Sequence, residues 1–452
     1  MTIRARREAH CHLHAHGQSK AMVALEACTS LAECLDVLAR AHAALGRASP
    51  TPHPSRWLLA RSARPESWAE HRWPTRAELD RVSPEVPLVI WCFDHHALCA
   101  NSAALARAGV SRHTPDPEGG VIERDIAGEP TGLLLESATR LVWSRVPEPT
   151  PDQRRAHVKL ALDDLASMGF VEVHDMLTQE WLGPLLAELR SAGQLPCAVW
   201  LYPLVEHLDA IAATRQAWES TEVRLAGGKV FTDGTINSRT AWMLQPYADP
   251  IPAHPCGTPL MTVPEIADAI RVCTAHGLHL AAHAIGDGAV RACLDAAELA
   301  TKAGAALTKP LPHPAVTSSR RHAVTALRIE HAELIDEADV PRFAALGVIA
   351  SVQPCHLLPD VEALNRLLPH RLDRVLPLRD LIDAGCEPGE LLWFGSDTPI
   401  VRPDPEDSIK AAVHRRRVEM SPSEAIAPGQ AISEREAEAA FAPTSPTTAS
   451  LT

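Results

Sequence analysis

From about residue 151 the chain alternates short apolar runs with helix-like stretches, and this rhythm limits the fold more than any other feature. The apolar runs fall at 170–174, 198–202, 229–231, 278–283, 326–331, 348–353 and 391–395. Helical spacing separates most of them, for example at 264–275, 289–300 and 336–346. Strand, helix, strand in repetition builds a parallel sheet with helical crossovers. A first strand ending at 10–13 makes eight, the number of a (β/α)8 TIM-like barrel. The expected fold is therefore an α/β barrel with a long insertion between its first and second barrel units. The expected organisation is 1–20 for the first strand, 21–150 for the insertion, 151–418 for the rest of the barrel and 419–452 for a C-terminal tail.

Inside the insertion, 21–45 reads as one helix, with Ser30 and Glu33 as a capping-box signal before Leu35, Val37 and Leu38. The Pro-, Ser- and Arg-rich stretch 46–75 reads as loop. A strand is expected at 87–93, a short helix at 101–109 and a hairpin or loop at 112–132. In the tail, 434–441 reads as helical with Ser433 as N-cap, and the chain from Pro443 onward reads as disordered.

Composition removes some functions. The net charge of -13 argues against a nucleic-acid or anionic-membrane surface, which needs clustered Lys and Arg. Eleven Cys without a Cys-x-x-Cys pair, and no apolar leader segment after Met1, point to reduced thiols and a cytoplasmic setting.

The chemistry sits where apolar runs end, which in a barrel is the active-site face. His10 and His12 share a strand face and can reach one metal, although a His-rich opening can also be a plain polar terminus. Lys229 lies within a strand, where a lysine is costly unless paired. It could carry a CO₂-derived carbamate able to bridge metals, or simply pair with Asp233. His283 and His331 each follow an apolar run; singly each reads as a core histidine or a ligand, and together with the first pair they favour metal. Asp397 can touch metal and take a proton from water, or cap the segment after it. Its place in the series favours catalysis.

This order of His-x-His, strand Lys, His, His and Asp resembles the amidohydrolase superfamily. Finer matches resemble amidohydrolase family 3, the group with N-substituted formamide deformylase-like enzymes. They include Trp73–Asp80, Phe93–Ala97, Asn101–Leu105, Gly119–Asp125, Gly128–Gly132, Gly228–Gly234, Ser238–Ala241, His283–Asp287 and Gly395–Pro399, across about residues 8–408. The resemblance implies one or two divalent metals, usually Zn2+, on His10, His12, Lys229 as carbamate, His283 and His331, with Asp397 beside them. It implies hydrolysis of a non-peptide amide-type C–N bond of a small molecule by metal-bound hydroxide. His96, Arg239 and His356 match recurrent polar positions and are candidate substrate contacts. Deamination of a cyclic substrate is the enzymatic alternative, and a catalytically impaired truncated paralogue is the other. A homodimer is entertained without a sequence feature that requires one.

Two features depart from the family. Family members carry a run before the first His pair that, with a C-terminal segment, builds a small β-sandwich; here both halves are expected to be missing. The lead-in Ile3-Arg4-Ala5-Arg6-Arg7-Glu8 also brings four charges to a central strand, where they are expected to be very unfavourable.

Overall fold

A computed structural model describes residues 4–48, 56–93, 97–117, 119–302 and 326–444. The chain divides into two compact units, His14–Leu160 and Met1–Leu13 with Ala161–Thr452.

The larger unit is α/β. The strand Arg6–Cys11 pairs in parallel with Phe170–Met176, which pairs with Ala198–Tyr202, which pairs with Val223–Leu225. A second parallel set runs Gly227–Phe231, His279–Ala284, Leu327–His331, Ile349–Val352 and Leu392–Phe394. Parallel bridges join the two sets at both ends, Cys11 to Thr398 and Leu204 to Lys229. Helices connect successive strands: Val263–Ala275 and Asp287–Lys302, for example, flank His279–Ala284. Thr262 and Glu265 close a capping box at the first of these, and Pro occupies its opening turn.

The first strand is seated despite its charges. Arg7 and Glu8 are fully buried. The Arg7 guanidinium lies 4.0 Å over the Trp393 ring and donates to the Ala440 carbonyl at 3.1 Å. Glu8 accepts from the backbone N–H of His10 at 3.0 Å and of Ser396 at 2.8 Å. Arg6 pairs with Glu438 at 2.7 Å. The cost foreseen for this strand is thus offset only in part, mostly by partners far along the chain that cannot be read locally, while Arg7 Nε and Nη1 and Glu8 Oε2 stay buried without a partner. Gly395 is part of this fit, since a Cβ there would stand 2.6 Å from the His10 backbone nitrogen.

The tail is more ordered than its composition suggests. Ser433 and Glu436 form a capping box on the helix Glu434–Ala440, where a helix with that cap is expected. Thr444, expected in disorder, is buried and donates from its backbone N–H to Glu172 at 3.0 Å. Residues 445–452 lie outside the described residues.

The smaller unit holds a six-stranded mixed sheet, ordered Val23–Ala24, Leu58–Ala63, Leu88–Cys92, Ala97–Ala100, Pro130–Glu136 and Gly120–Arg124. The first two pairings are parallel and the rest antiparallel. The last two strands form the hairpin expected near 112–132. Two expectations fail here. Of the helix expected at 21–45 only the part from Leu31 is helical, in Leu31–Ala48, while Val23–Ala24 is a strand, and the loop at 46–75 contains the strand Leu58–Ala63. That strand reads L-L-A-R-S-A, too weakly apolar to stand out between Pro- and Arg-rich flanks. No helix among the described residues is long and apolar enough to cross a membrane.

Candidate metal centre

Five of the residues singled out in the sequence stand at or just past C-terminal ends of parallel strands of the larger unit, and Lys229 stands within one. His10 is in Arg6–Cys11 and His12 just beyond it; Lys229, His283 and His331 lie in the next set, and Asp397 follows Leu392–Phe394. Backbone bonds tie the two chain-distant ends together. The Asp397 N–H donates to the His10 carbonyl at 2.7 Å, and the His12 N–H to the Thr398 carbonyl at 2.9 Å.

Ligand atoms of His10, His331 and Asp397 all lie within 4.8 Å of one another, and all three residues are buried. Asp397 Oδ1 is 2.9 Å from His12 Nε2 and 3.3 Å from His10 Nε2. The His283 ring sits 4.5 Å from His331 and the His10 ring 4.9 Å, centroid to centroid. Lys229 is buried, and its Nζ has no hydrogen-bond partner. Asp233, the alternative partner considered for it, is instead held by the backbone N–H groups of Ile285, Gly286 and Trp242.

Hydrogen bonds to the outer ring nitrogens select tautomers. His12 Nδ1 donates to the Met176 carbonyl at 2.9 Å, and His10 Nδ1 lies 2.6 Å from the Glu330 carboxylate. Each therefore turns Nε2 toward Asp397. A neutral ring then aims a lone pair at a carboxylate oxygen, and two acceptors this close repel unless a proton or cation lies between them. His283 donates from Nε2 to the Gly234 carbonyl at 3.0 Å and leaves Nδ1 as its free donor atom. His331 Nδ1 is buried without a partner. The residues present fit a divalent cation: nitrogen donors and one carboxylate within reach of one another, with buried Lys229 Nζ and His331 Nδ1 left without a partner.

Electrostatics agree. Burial, then Lys229, holds the His283 ring down to about 3, and burial with His283 holds His331 far below the ordinary imidazole range. Both are neutral and able to ligate. Burial brings Lys229 down to about 8. Asp397 is held well below the ordinary carboxylate range: burial raises it, and the positive charge and hydrogen bonds facing it from His10 and His12, the place a bound cation would take, more than compensate.

Two positions depend on left-handed backbone. His331 has φ of 71° and Asp397 of 61°. Strand alternation would aim Glu330 and His331 at opposite faces. The turn at His331 lets both side chains approach His10. Such conformations cost about 1–3 kcal/mol each and gather at functional sites.

The sequence pattern of the amidohydrolase family matches residues 7–451. The chain belongs to the amidohydrolase family. The YtcJ protein of Bacillus subtilis (strain 168) is 30% identical over 421 residues, covering 90% of this chain and 72% of that protein. The N-substituted formamide deformylase of Arthrobacter pascens is 27% identical over 398 residues, 85% of this chain and 68% of that one. The crystal structure of an uncharacterized metal-dependent hydrolase from Pyrococcus horikoshii OT3 matches with a TM-score of 0.71 at 26% identity, over 96% of this chain and 78% of its own. The chain spans as little as 53% of the length of another curated relative. This member of a hydrolase family thus shares its fold with a metal-dependent hydrolase.

The candidate substrate contacts divide. His356 is buried with its ring 6.0 Å from His331, donates to the Ser396 carbonyl at 3.1 Å and faces Glu333 at 3.6 Å. His331, Glu333 and His356 form a second group with atoms within 4.8 Å. Arg239, on the loop after Gly234, is partly exposed and engaged with Asp249 at 2.9 Å. His96 lies outside the described residues. Glu330 and Glu333 flank His331 in sequence and went unassigned there. Acidic neighbours on both sides of a strand-end histidine were the available signal.

Proposed function

We propose that this amidohydrolase-family chain is a metal-dependent hydrolase that cleaves a non-peptide amide-type C–N bond in a small molecule, with the centre on His10, His12, Lys229, His283, His331 and Asp397. The observation that carries it is the convergence of His10, His331 and Asp397 within 4.8 Å, beside a buried lysine amine that has no partner. The Cys11–Thr398 and Leu204–Lys229 bridges support one closed (β/α)8 barrel, with 21–150 as an insertion after its first unit. Zinc, one ion or two, suits a set of imidazoles with one carboxylate. Lys229, drawn down to about 8 by burial, has a far larger neutral fraction near pH 7 than an ordinary lysine, suited to adding CO₂ with loss of a proton to give a carbamate ligand.

When bound, a divalent ion supplies a Lewis acid for the scissile carbonyl and brings the pKa of a coordinated water to about 7. The chain's residues do the rest. His10 and His12 are held by their Nδ1–H bonds, with Nε2 facing inward. Asp397 is ionised and can accept the water proton at a carboxylate oxygen and return it to the leaving nitrogen. His356 and Arg239 are proposed to contact substrate. An amide small molecule is the proposed substrate class, by likeness to the Arthrobacter pascens deformylase.

Metal analysis of the purified chain tests the reading. About one or two equivalents of zinc are expected, lost in His331→Ala, together with hydrolysis within a panel of N-substituted formamides and other linear or cyclic amides. A folded chain that takes up no metal and hydrolyses none of them would end the proposal.

A further inference from the structure

We infer that Arg328 and Glu330 are positioning residues that fix the ring of His10 for the metal centre; the inference rests on the proposed role of His10 as ligand. Both are fully buried on the strand Leu327–His331. Glu330 Oε2 takes the His10 Nδ1–H at 2.6 Å, which leaves Nε2 as the inward donor. Arg328 is bound to Glu330 through Nε, and every guanidinium edge is used. Nη1 donates to His174 Nδ1 at 2.8 Å and to the Tyr202 hydroxyl at 3.1 Å. Nη2 donates to the Ala9 carbonyl at 2.6 Å and to Ser351 Oγ at 2.9 Å. One cation therefore holds the residue before His10 by its backbone and His10 itself through Glu330.

The chain of contacts continues outward. His174 Nε2 donates to Glu172 at 2.9 Å, and Thr444 donates to Glu172 from its hydroxyl at 2.8 Å. A fully buried ion pair is a weak device for stability, since desolvation absorbs most of its attraction. A carboxylate on the outer nitrogen of a ligating histidine, by contrast, fixes its tautomer and raises its basicity. The five-fold tethering of Arg328 is what such a device needs and what a simple ion pair does not.

The test measures zinc affinity of the full chain, by competition with a chelator, alongside melting. Glu330→Gln keeps the volume and an acceptor but removes the charge. The double variant Arg328→Met/Glu330→Leu removes both charges, so neither is left buried alone. Zinc binding is expected to weaken by roughly 10–100-fold in the double variant and by less in Glu330→Gln. Unchanged affinity in folded variants, whatever their melting temperatures, would overturn the inference while leaving the proposed function intact. If the variants do not fold, ring ¹⁵N shifts of His10 in the zinc-loaded wild type decide it. Zinc on Nε2 with a protonated Nδ1 is expected, and zinc on Nδ1 overturns it. A wild-type chain that binds no zinc overturns both readings.

Discussion

The two compact units bury different kinds of side chain. The smaller one, His14–Leu160, packs its sheet with Leu, Ile, Ala, Cys and Trp68, in two apolar clusters. Its buried Asn101 is fully used: Oδ1 accepts from the Leu88 and Ala104 N–H groups, and Nδ2 donates to the Ser83 and Val86 carbonyls. The larger unit buries Arg7, Glu8, Glu172, His174, Lys229, Arg328 and Glu330 along parallel strands, where continuous apolar sequence is the norm. Several of their atoms, among them Glu8 Oε2 and Lys229 Nζ, have no partner. The smaller interior is mainly apolar, although His42 Nδ1, Arg61 Nε and Trp68 Nε1 are also without a partner there. The other accepts desolvation costs, and such exceptions to packing rules mark functional sites.

The contrast can be broken most sharply at Asp397. Asp397→Asn should leave the fold intact and lower amide hydrolysis by roughly 10²–10⁴-fold. A loss under tenfold would mean the larger unit's polar interior does not serve catalysis. Trp68→Ala should act in the opposite manner, costing about 3–5 kcal/mol in denaturant unfolding while the folded protein keeps its metal. If metal is lost instead, the division of labour between the interiors is wrong.

His279 sharpens the comparison through pH. Burial, then Arg328, takes its pKa to about 3, and neither ring nitrogen has a hydrogen-bond partner. The folded value lies below the unfolded one of about 6.5. Its contribution to stability is therefore complete above that pH and is lost as pH falls from there toward about 3. His279→Leu should flatten the acid limb of a stability–pH curve across that window, by on the order of a few kcal/mol. An identical acid limb would refute it. The smallest effect is expected at Thr75, whose side chain caps the helix Arg76–Val82 in a box with Glu78. Thr75→Ala should cost about 1 kcal/mol, read from the melting temperature, with hydrolysis unchanged.

Much of the strand-end pattern is legible in the sequence because each apolar run is short and its terminal polar residue breaks the run abruptly. Thus His283 and His331 stand at the ends of 278–283 and 326–331 in the reading, and of His279–Ala284 and Leu327–His331 in the structure. What could not be read is long-range or conformational. The partners of Arg7 and Glu8 lie at Trp393, Ser396 and Ala440. The left-handed φ of His331, which turns it back beside Glu330, has no glycine to announce it. The Ser30 signal does mark the helix start at Leu31; the error lies in running the helix back through the mostly apolar residues 21–27, which include the strand Val23–Ala24.

The strand Arg6–Cys11 is inserted beside Phe170–Met176, and its end is bonded to Asp397 and Thr398. The strand is synthesised long before its last neighbours: Ser396, which receives Glu8, is made 388 residues after it. Until then Arg7 and Glu8 stay hydrated in a waiting segment, because the groups that receive them do not exist. Assembly of the centre thereby waits for residues 397 and 398, and a nascent chain stalled before residue 397 would hold histidines but no finished cage for an ion.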